Sequence, residues 1–309
     1  MNNALRTLPE SVARAEAAEK HGYESLWVTQ LPDARDASLV LAAYASATQR
    51  IKLGTGVLPI YTRHPTAMAQ MASSLDEMSG GRFILGIGIS HRVTVEGMWG
   101  LHIDSPVDAM REYLTIVQSS LRDGGCDFDG KHFSARWSYS APRREGIPVM
   151  ISALNPRMLE LAGELADGVV LWICSPAYTR DQVIPALKAG REKAGKTMDG
   201  FEVVSAVSAC LTGDREAALE VFRKTITRYA SLPFYRKMLD ASGYREQLEA
   251  GTISDGMLDD LAGIGDERQV RDAIARYAEA GVTLPVVSPF GGHKGAAGYE
   301  ATLAAGITG

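Results

Sequence analysis

The side chains best able to do chemistry in this chain are few, and they stand just beyond short apolar runs. His91 follows Arg82–Ile89 (RFILGIGI) with only Ser90 between. An imidazole with an ordinary pKa of about 6.5 can give or take a proton at neutral pH. A histidine that merely starts a helix or lies on the surface explains the same position, and both readings stand. Gln30 follows Ser25–Thr29 (SLWVT) and offers a neutral hydrogen-bond donor. Gly54, Thr55, Gly56 and Val57 end the run IKLGTGV, with Pro59, Tyr61, Arg63 and His64 beyond it; His64 before Pro65 reads as a helix flank. Gly88, Ile89 and Ser90 close RFILGIGI, although Gly86-Ile87-Gly88 lacks the third glycine of a dinucleotide fingerprint. Ser152, Ala153, Leu154 and Asn155 lead into Pro156. Bared backbone N–H groups at a helix start suit a phosphate, yet the same run is an ordinary tight turn with Asn155 as N-cap.

Other chemistries lack their residues. The chain has no Ser–His–Asp elbow, HExxH or P-loop, and no Asp, Glu and His cluster at several strand ends for a metal-dependent hydrolase. This poverty of polar catalytic groups fits a cofactor that brings its own reactivity.

The elements that must position these residues alternate regularly. Apolar spacing of three and four predicts helices near 9–21, 38–48, 65–79, 106–122, 156–166, 178–195, 214–230 and 266–280, as in Met68, Met71, Leu75 and Met78. Between them, Ser25–Thr29, Ile51–Val57, Arg82–Ile89, Ile147–Ser152, Gly168–Ile173, Phe201–Val207 and Val282–Val287 read as strands. Near-continuous apolar strands separated by helices mean a parallel sheet covered on both faces, the α/β pattern of a barrel. One strand is missing from a closed set of eight. Either Asn2–Leu8 supplies it weakly, or the natural start lies upstream. Residues 123–146 and 232–265 break the rhythm as insertions, and a glycine-rich tail runs from Gly291 to Gly295.

Composition narrows the partners. A net charge of −5 without any basic run argues against nucleic acid. No apolar stretch approaches the roughly 18 residues of a membrane span, and the N-terminal residues lack a signal-peptide core. Cys126, Cys174 and Cys210 show no metal or disulfide spacing; Cys174 and Cys210, at the ends of apolar runs, read as buried small hydrophobes, and the expected compartment is a reducing cytoplasm.

Four segments then carry a resemblance: GYESLWVTQ, RIKLGTGVLPIYTRHP, SLDEMSGGRFILGIG and ISALNPRMLELAGELADGVVLW. In this order they resemble the bacterial luciferase-like flavin and deazaflavin oxidoreductases, from about residue 9 to 290. The form TGVLPIYTRHP and the compact length are similar to the branch that uses coenzyme F420, a deazaflavin. The resemblance implies one luciferase-like (β/α)₈ TIM-barrel domain over residues 1–309. It also implies a β-bulge with a non-prolyl cis peptide at Gly56-Val57, beside Thr55. Gly88, Ile89 and Ser90 match the segment passing the ring, and Ser152, Ala153, Leu154 and Asn155 match the phosphate cradle.

Two departures shape the expected reaction. Sugar-phosphate dehydrogenases of this family carry a glutamate where His91 stands, and an acid and a histidine where Gln30 and Leu31 stand. His91 is then the expected acid/base group, with Gln30 as a donor. The resemblance implies hydride transfer between F420 and a small organic substrate, as reduction of an activated double bond or imine. An FMN-dependent monooxygenase and a non-catalytic cofactor-binding protein are the alternatives. Family members form homodimers, and helices 38–48 and 65–79 could supply that face or pack on the barrel instead.

Overall fold

Thr7 caps the first described helix. Its hydroxyl accepts from the Glu10 N–H while the Glu10 carboxylate accepts the Thr7 N–H at 2.8 Å, a reciprocal capping box. The helix Leu8–Lys20 therefore starts where the weak first strand was expected to end. Asn2–Arg6 lie outside the described residues, as do 292–294 of the glycine-rich tail: the computed structural model describes residues 7–291 and 295–307. These gather into two compact units, residues 1–153 with 161–169, and residues 154–160 with 170–309. Among the described residues no helix is long and apolar enough to cross a membrane.

Among the described residues eleven strands are formed: β1 (Ser25–Val28), β2 (Lys52–Thr55), β3 (Leu58–Pro59), β4 (Phe83–Gly88), β5 (Gly125–Asp129), β6 (Ser134–Ser138), β7 (Val149–Ser152), β8 (Gly168–Leu171), β9 (Glu202–Leu211), β10 (Ala262–Gly265) and β11 (Leu284–Pro289). All seven expected strands are present. In the first unit β1, β2, β4 and β7 lie side by side and parallel, with β3 continuing the edge of β4. Trp27, Leu53, Phe83, Leu85, Ile87, Leu41, Met68 and Tyr113 fill its core with at most 2% of their surface exposed. Burying each such side chain contributes about 1.5–3 kcal/mol.

Polar clamps fix where the surrounding helices end. The Arg82 guanidinium donates to the carbonyls of Ala45, Thr48, Ile51 and Ser79, tying the ends of helices Ala37–Ala47 and Pro65–Ser79 to the start of β2. Residues 123–146, expected as an excursion, form the antiparallel hairpin β5–β6. The Glu112 carboxylate, on helix Pro106–Asp123, accepts the N–H groups of Lys131, His132 and Phe133 and so docks the hairpin tip. Burial works against its ionisation, but these three donors hold the carboxyl below its usual range.

In the second unit β9 pairs in parallel with β10 and with β11. The segment 232–265 holds helices Pro233–Leu239, Arg245–Glu249 and Asp255–Leu261 and ends in β10. That strand escaped the sequence reading because AGIG is short and half glycine, which weakens any strand signal.

One irregularity in the first unit matters most. Leu53 and Gly54 face Phe83 and Ile84, while Leu58 and Pro59 face Ile87 and Gly88. Three residues, 55–57, therefore stand opposite two, 85–86, which is a β-bulge. The peptide bond Gly56-Val57 within it is cis. Where the backbone of β2 leaves the ladder, the buried Thr55 hydroxyl takes its place. It accepts the Gly86 N–H at 2.7 Å and donates to the Gly86 carbonyl at 2.7 Å. Gly54 is dictated by packing, since a Cβ there would lie 2.5 Å from the Trp27 ring.

Thr55→Val keeps the shape but strands both Gly86 groups. We expect a loss of about 2–4 kcal/mol in urea unfolding, with Thr55→Ser retaining most of the stability. A Val variant as stable as the wild type would show that the hydroxyl is dispensable.

Candidate functional site

Within the first unit, solvent reaches the sheet where its strands run out. Val28, Thr55, Gly88 and Ile151 are buried, whereas Thr29, Gln30, Gly56, Val57, Ile89, Ser90, His91 and Ser152 are partly exposed. The residues expected from sequence thus surface together at the C-terminal ends of parallel strands, where parallel α/β proteins build their sites.

The bulge brings several into contact. A Cβ on Gly88 would collide with the Ser152 Oγ and lie 2.6 Å from the Val57 side chain, so β4 passes between these two at closest range. A Cβ on Gly86 would strike the Thr55 carbonyl. Only glycine permits this approach. Ser90 then takes a left-handed conformation, φ 65°, and turns the chain out of the sheet. His91 caps the short helix Arg92–Val95, its carbonyl accepting from Thr94 and Val95 at 2.9 and 2.8 Å, and its ring is half-buried. His91 therefore starts a helix and also stands, partly exposed, at the end of β4.

Gln30 is more occupied than expected. Its side-chain oxygen accepts the Ala37 N–H at 2.8 Å and its nitrogen donates to the Leu31 carbonyl at 3.1 Å. The amide braces the loop after β1, and one of its two N–H bonds remains for a ligand. That loop is also tied to the one after β3. The Asp36 carboxylate accepts from Arg63 and from the Ser38 and Leu39 N–H groups, capping helix Ala37–Ala47. Burial opposes its ionisation, yet Ser38 and Arg63 hold the carboxyl below the usual range. Tyr113 donates to the Arg63 carbonyl at 2.9 Å from helix Pro106–Asp123. No local sequence signal links Asp36, Arg63 and Tyr113, whose meeting is purely tertiary.

The remaining predicted positions divide. Ala153 is buried in the first unit. Leu154 and Asn155 belong to the second, where the Leu154 carbonyl accepts from the Tyr178 hydroxyl at 2.8 Å. Burial, reinforced by Cys174, pushes the Tyr178 phenol up to about 12, so it is a donor at neutral pH. The Asn155 carbonyl accepts from Met158 and Leu159 and opens helix Pro156–Leu165.

Chemically, the strand-end surface of the first unit is neutral: glycine, valine and isoleucine beside serine, threonine and a single imidazole. Such a surface suits the face and edges of an uncharged planar ring.

Comparison with known proteins bears on the family and the fold. The family model described as luciferase-like monooxygenase matches residues 1–284. A Mycobacterium tuberculosis protein named as a coenzyme F420-dependent oxidoreductase is 31% identical, over 88% of this chain and 88% of its own. The 5,10-methylenetetrahydromethanopterin reductase of Methanolobus tindarius is 30% identical, over 91% and 90%. Among solved structures, the coenzyme F420-dependent tetrahydromethanopterin reductase of Methanopyrus kandleri superposes with a TM-score of 0.82 at 26% identity, covering 97% of this chain and 94% of that one. The fold is the α/β TIM barrel of these neighbours, and the chain belongs to the luciferase-like monooxygenase family.

Proposed function

We propose that this chain is a coenzyme F420-dependent oxidoreductase that moves a hydride between the deazaflavin and a small organic substrate. The observation that carries this reading is the bulged end of β2 packed against β4, which presents Gly56, Val57 and Ile89 as an uncharged strand-end surface. Relatives at 30–31% identity over nine-tenths of the chain carry F420-dependent or methylenetetrahydromethanopterin reductase names.

The residues present fit such a group. Val57 and Ile89 supply apolar contact for a ring face, and Ser90, Ser152 and Thr29 supply neutral hydrogen-bonding groups for its edges. The backbone N–H groups of Ser152, Ala153, Leu154 and Asn155, running into a helix start, are suited to its phosphate. When bound, the deazaflavin supplies a two-electron hydride donor or acceptor. The chain's own part is to hold the substrate and manage one proton. His91 is the titratable side chain on the strand-end surface, and a ring nitrogen of His91 delivers or removes that proton. Gln30 holds a substrate oxygen with its remaining N–H. With glutamine and leucine at 30 and 31, no base stands there to deprotonate an alcohol, so reduction of an activated carbon–carbon double bond or imine is the favoured direction. The chain works as a homodimer, with exposed Leu39 and Met78 as its apolar contribution; light scattering at twice 33.2 kDa is the expected result, and a monomer would refute this part.

Titration with oxidised F420 and with FMN, each alone, tests the cofactor. We expect saturable binding of F420 and weaker or absent binding of FMN; binding of FMN only would replace the deazaflavin reading. His91→Ala should lower turnover about 10²-fold or more while leaving F420 affinity within a few-fold. Lost affinity with unchanged turnover would reverse its role.

A further inference from the structure

Tyr61 is the group the function above leaves unused. It stands two residues beyond Pro59, which pairs with Gly88, three residues ahead of His91. Both chain segments therefore leave the sheet from one paired position. The Tyr61 hydroxyl is buried and has no hydrogen-bond partner. A buried hydroxyl without a partner costs about 1–3 kcal/mol, so native proteins rarely retain one without a use.

The segment 92–104 continues the chain beyond this strand end, and Lys131 at the tip of the hairpin donates to its Asp104 carboxylate at 3.3 Å. The charges of Arg92, Asp104 and Glu96 act on the phenol. Arg92 pairs with Glu96 and donates to the Ile103 carbonyl at 3.0 Å, and Glu96 accepts the Ile103 N–H at 3.2 Å. This stitching holds the segment's two ends to each other. Ser90 and Ser105, at φ 65° and 43°, bracket it as left-handed non-glycine residues. Such positions are where function is stored in backbone geometry. Val93, Met98 and Leu101 lie on its exposed side. The segment is thus stitched end to end, with Val95 and Ile103 buried on its inner side.

We propose that Tyr61 is a substrate-contacting hydrogen-bond donor, its hydroxyl kept without a protein partner so that it can bind a substrate carbonyl oxygen once the 92–104 segment moves aside. This rests on the oxidoreductase reading above. Burial raises the phenol above its ordinary value, so it stays protonated and donates at neutral pH. Hydrogen bonding to a carbonyl conjugated to the reducible double bond draws electron density from the carbon that accepts hydride. His91, on the neighbouring segment, remains the proton source.

Tyr61→Phe removes one oxygen and tests this in two ways. In the ligand-free protein, loss of an unsatisfied hydroxyl should raise Tm by about 2–4 °C. With reduced F420 and cyclohex-2-en-1-one as the probe, kcat/KM should fall about 10- to 100-fold while the Kd for oxidised F420 stays within twofold. A lower Tm would mean that the hydroxyl is bonded within the protein, and an unchanged kcat/KM would mean that it is idle; either overturns the proposal. Wild-type protein that binds F420 but reduces no enone removes the carbonyl assigned to Tyr61 and leaves the cofactor reading standing. Failure of the wild type to bind F420 removes both.

Discussion

A single hydroxyl holds the strand-end surface in register. Where β2 leaves its ladder with β4, backbone pairing cannot continue, because three residues must face two. The Thr55 side chain satisfies both the N–H and the carbonyl of Gly86, so neither Gly86 group is stranded by the bulge. Everything beyond follows from that join. β3 resumes pairing one residue out of step, Val57 comes against Gly88, and the chain beyond β3 is carried towards Tyr61 and Arg63. Serine could supply the hydroxyl, but threonine's extra methyl packs in a position that is wholly buried.

Around this join the structure is fixed by polar clamps more than by apolar shape alone. Arg82 sets the ends of two helices, Glu112 docks the hairpin, and the Asp36–Arg63 pair ties the loops after β1 and β3. Buried Asp76 accepts a two-pronged contact from Arg144, anchoring the chain that leads back into β7. None of these clamps uses a side chain of the neutral strand-end surface itself. A charged floor would favour an ion over the face of an uncharged ring.

Much of this was legible in the residues. Seven strands and the long helices follow from runs such as Phe83–Gly88 and from the spacing of Met68, Met71 and Leu75, because burial on one face imposes period on sequence. The bulge at Gly56-Val57 was legible only through the family resemblance, since a glycine–valine step carries no bulge signal of its own. Four features were not legible. β10 hides in AGIG, where glycine suppresses the strand pattern. The hairpin β5–β6 mixes Asp, Arg and Ser into its strands because both of its faces meet solvent in part. The occupation of Gln30 by Leu31 and Ala37, and the unpartnered Tyr61 hydroxyl, depend on where side chains come to rest in three dimensions.

The central claim is the place where the ring binds. Amide hydrogen exchange of the whole chain, with and without saturating oxidised F420, reads that place directly. The account predicts slowed exchange in the segments around Thr55–Val57, Gly88–His91 and Ser152–Asn155, with the hairpin β5–β6 unchanged. Saturable binding that leaves those segments as they were, and protects others instead, would contradict it.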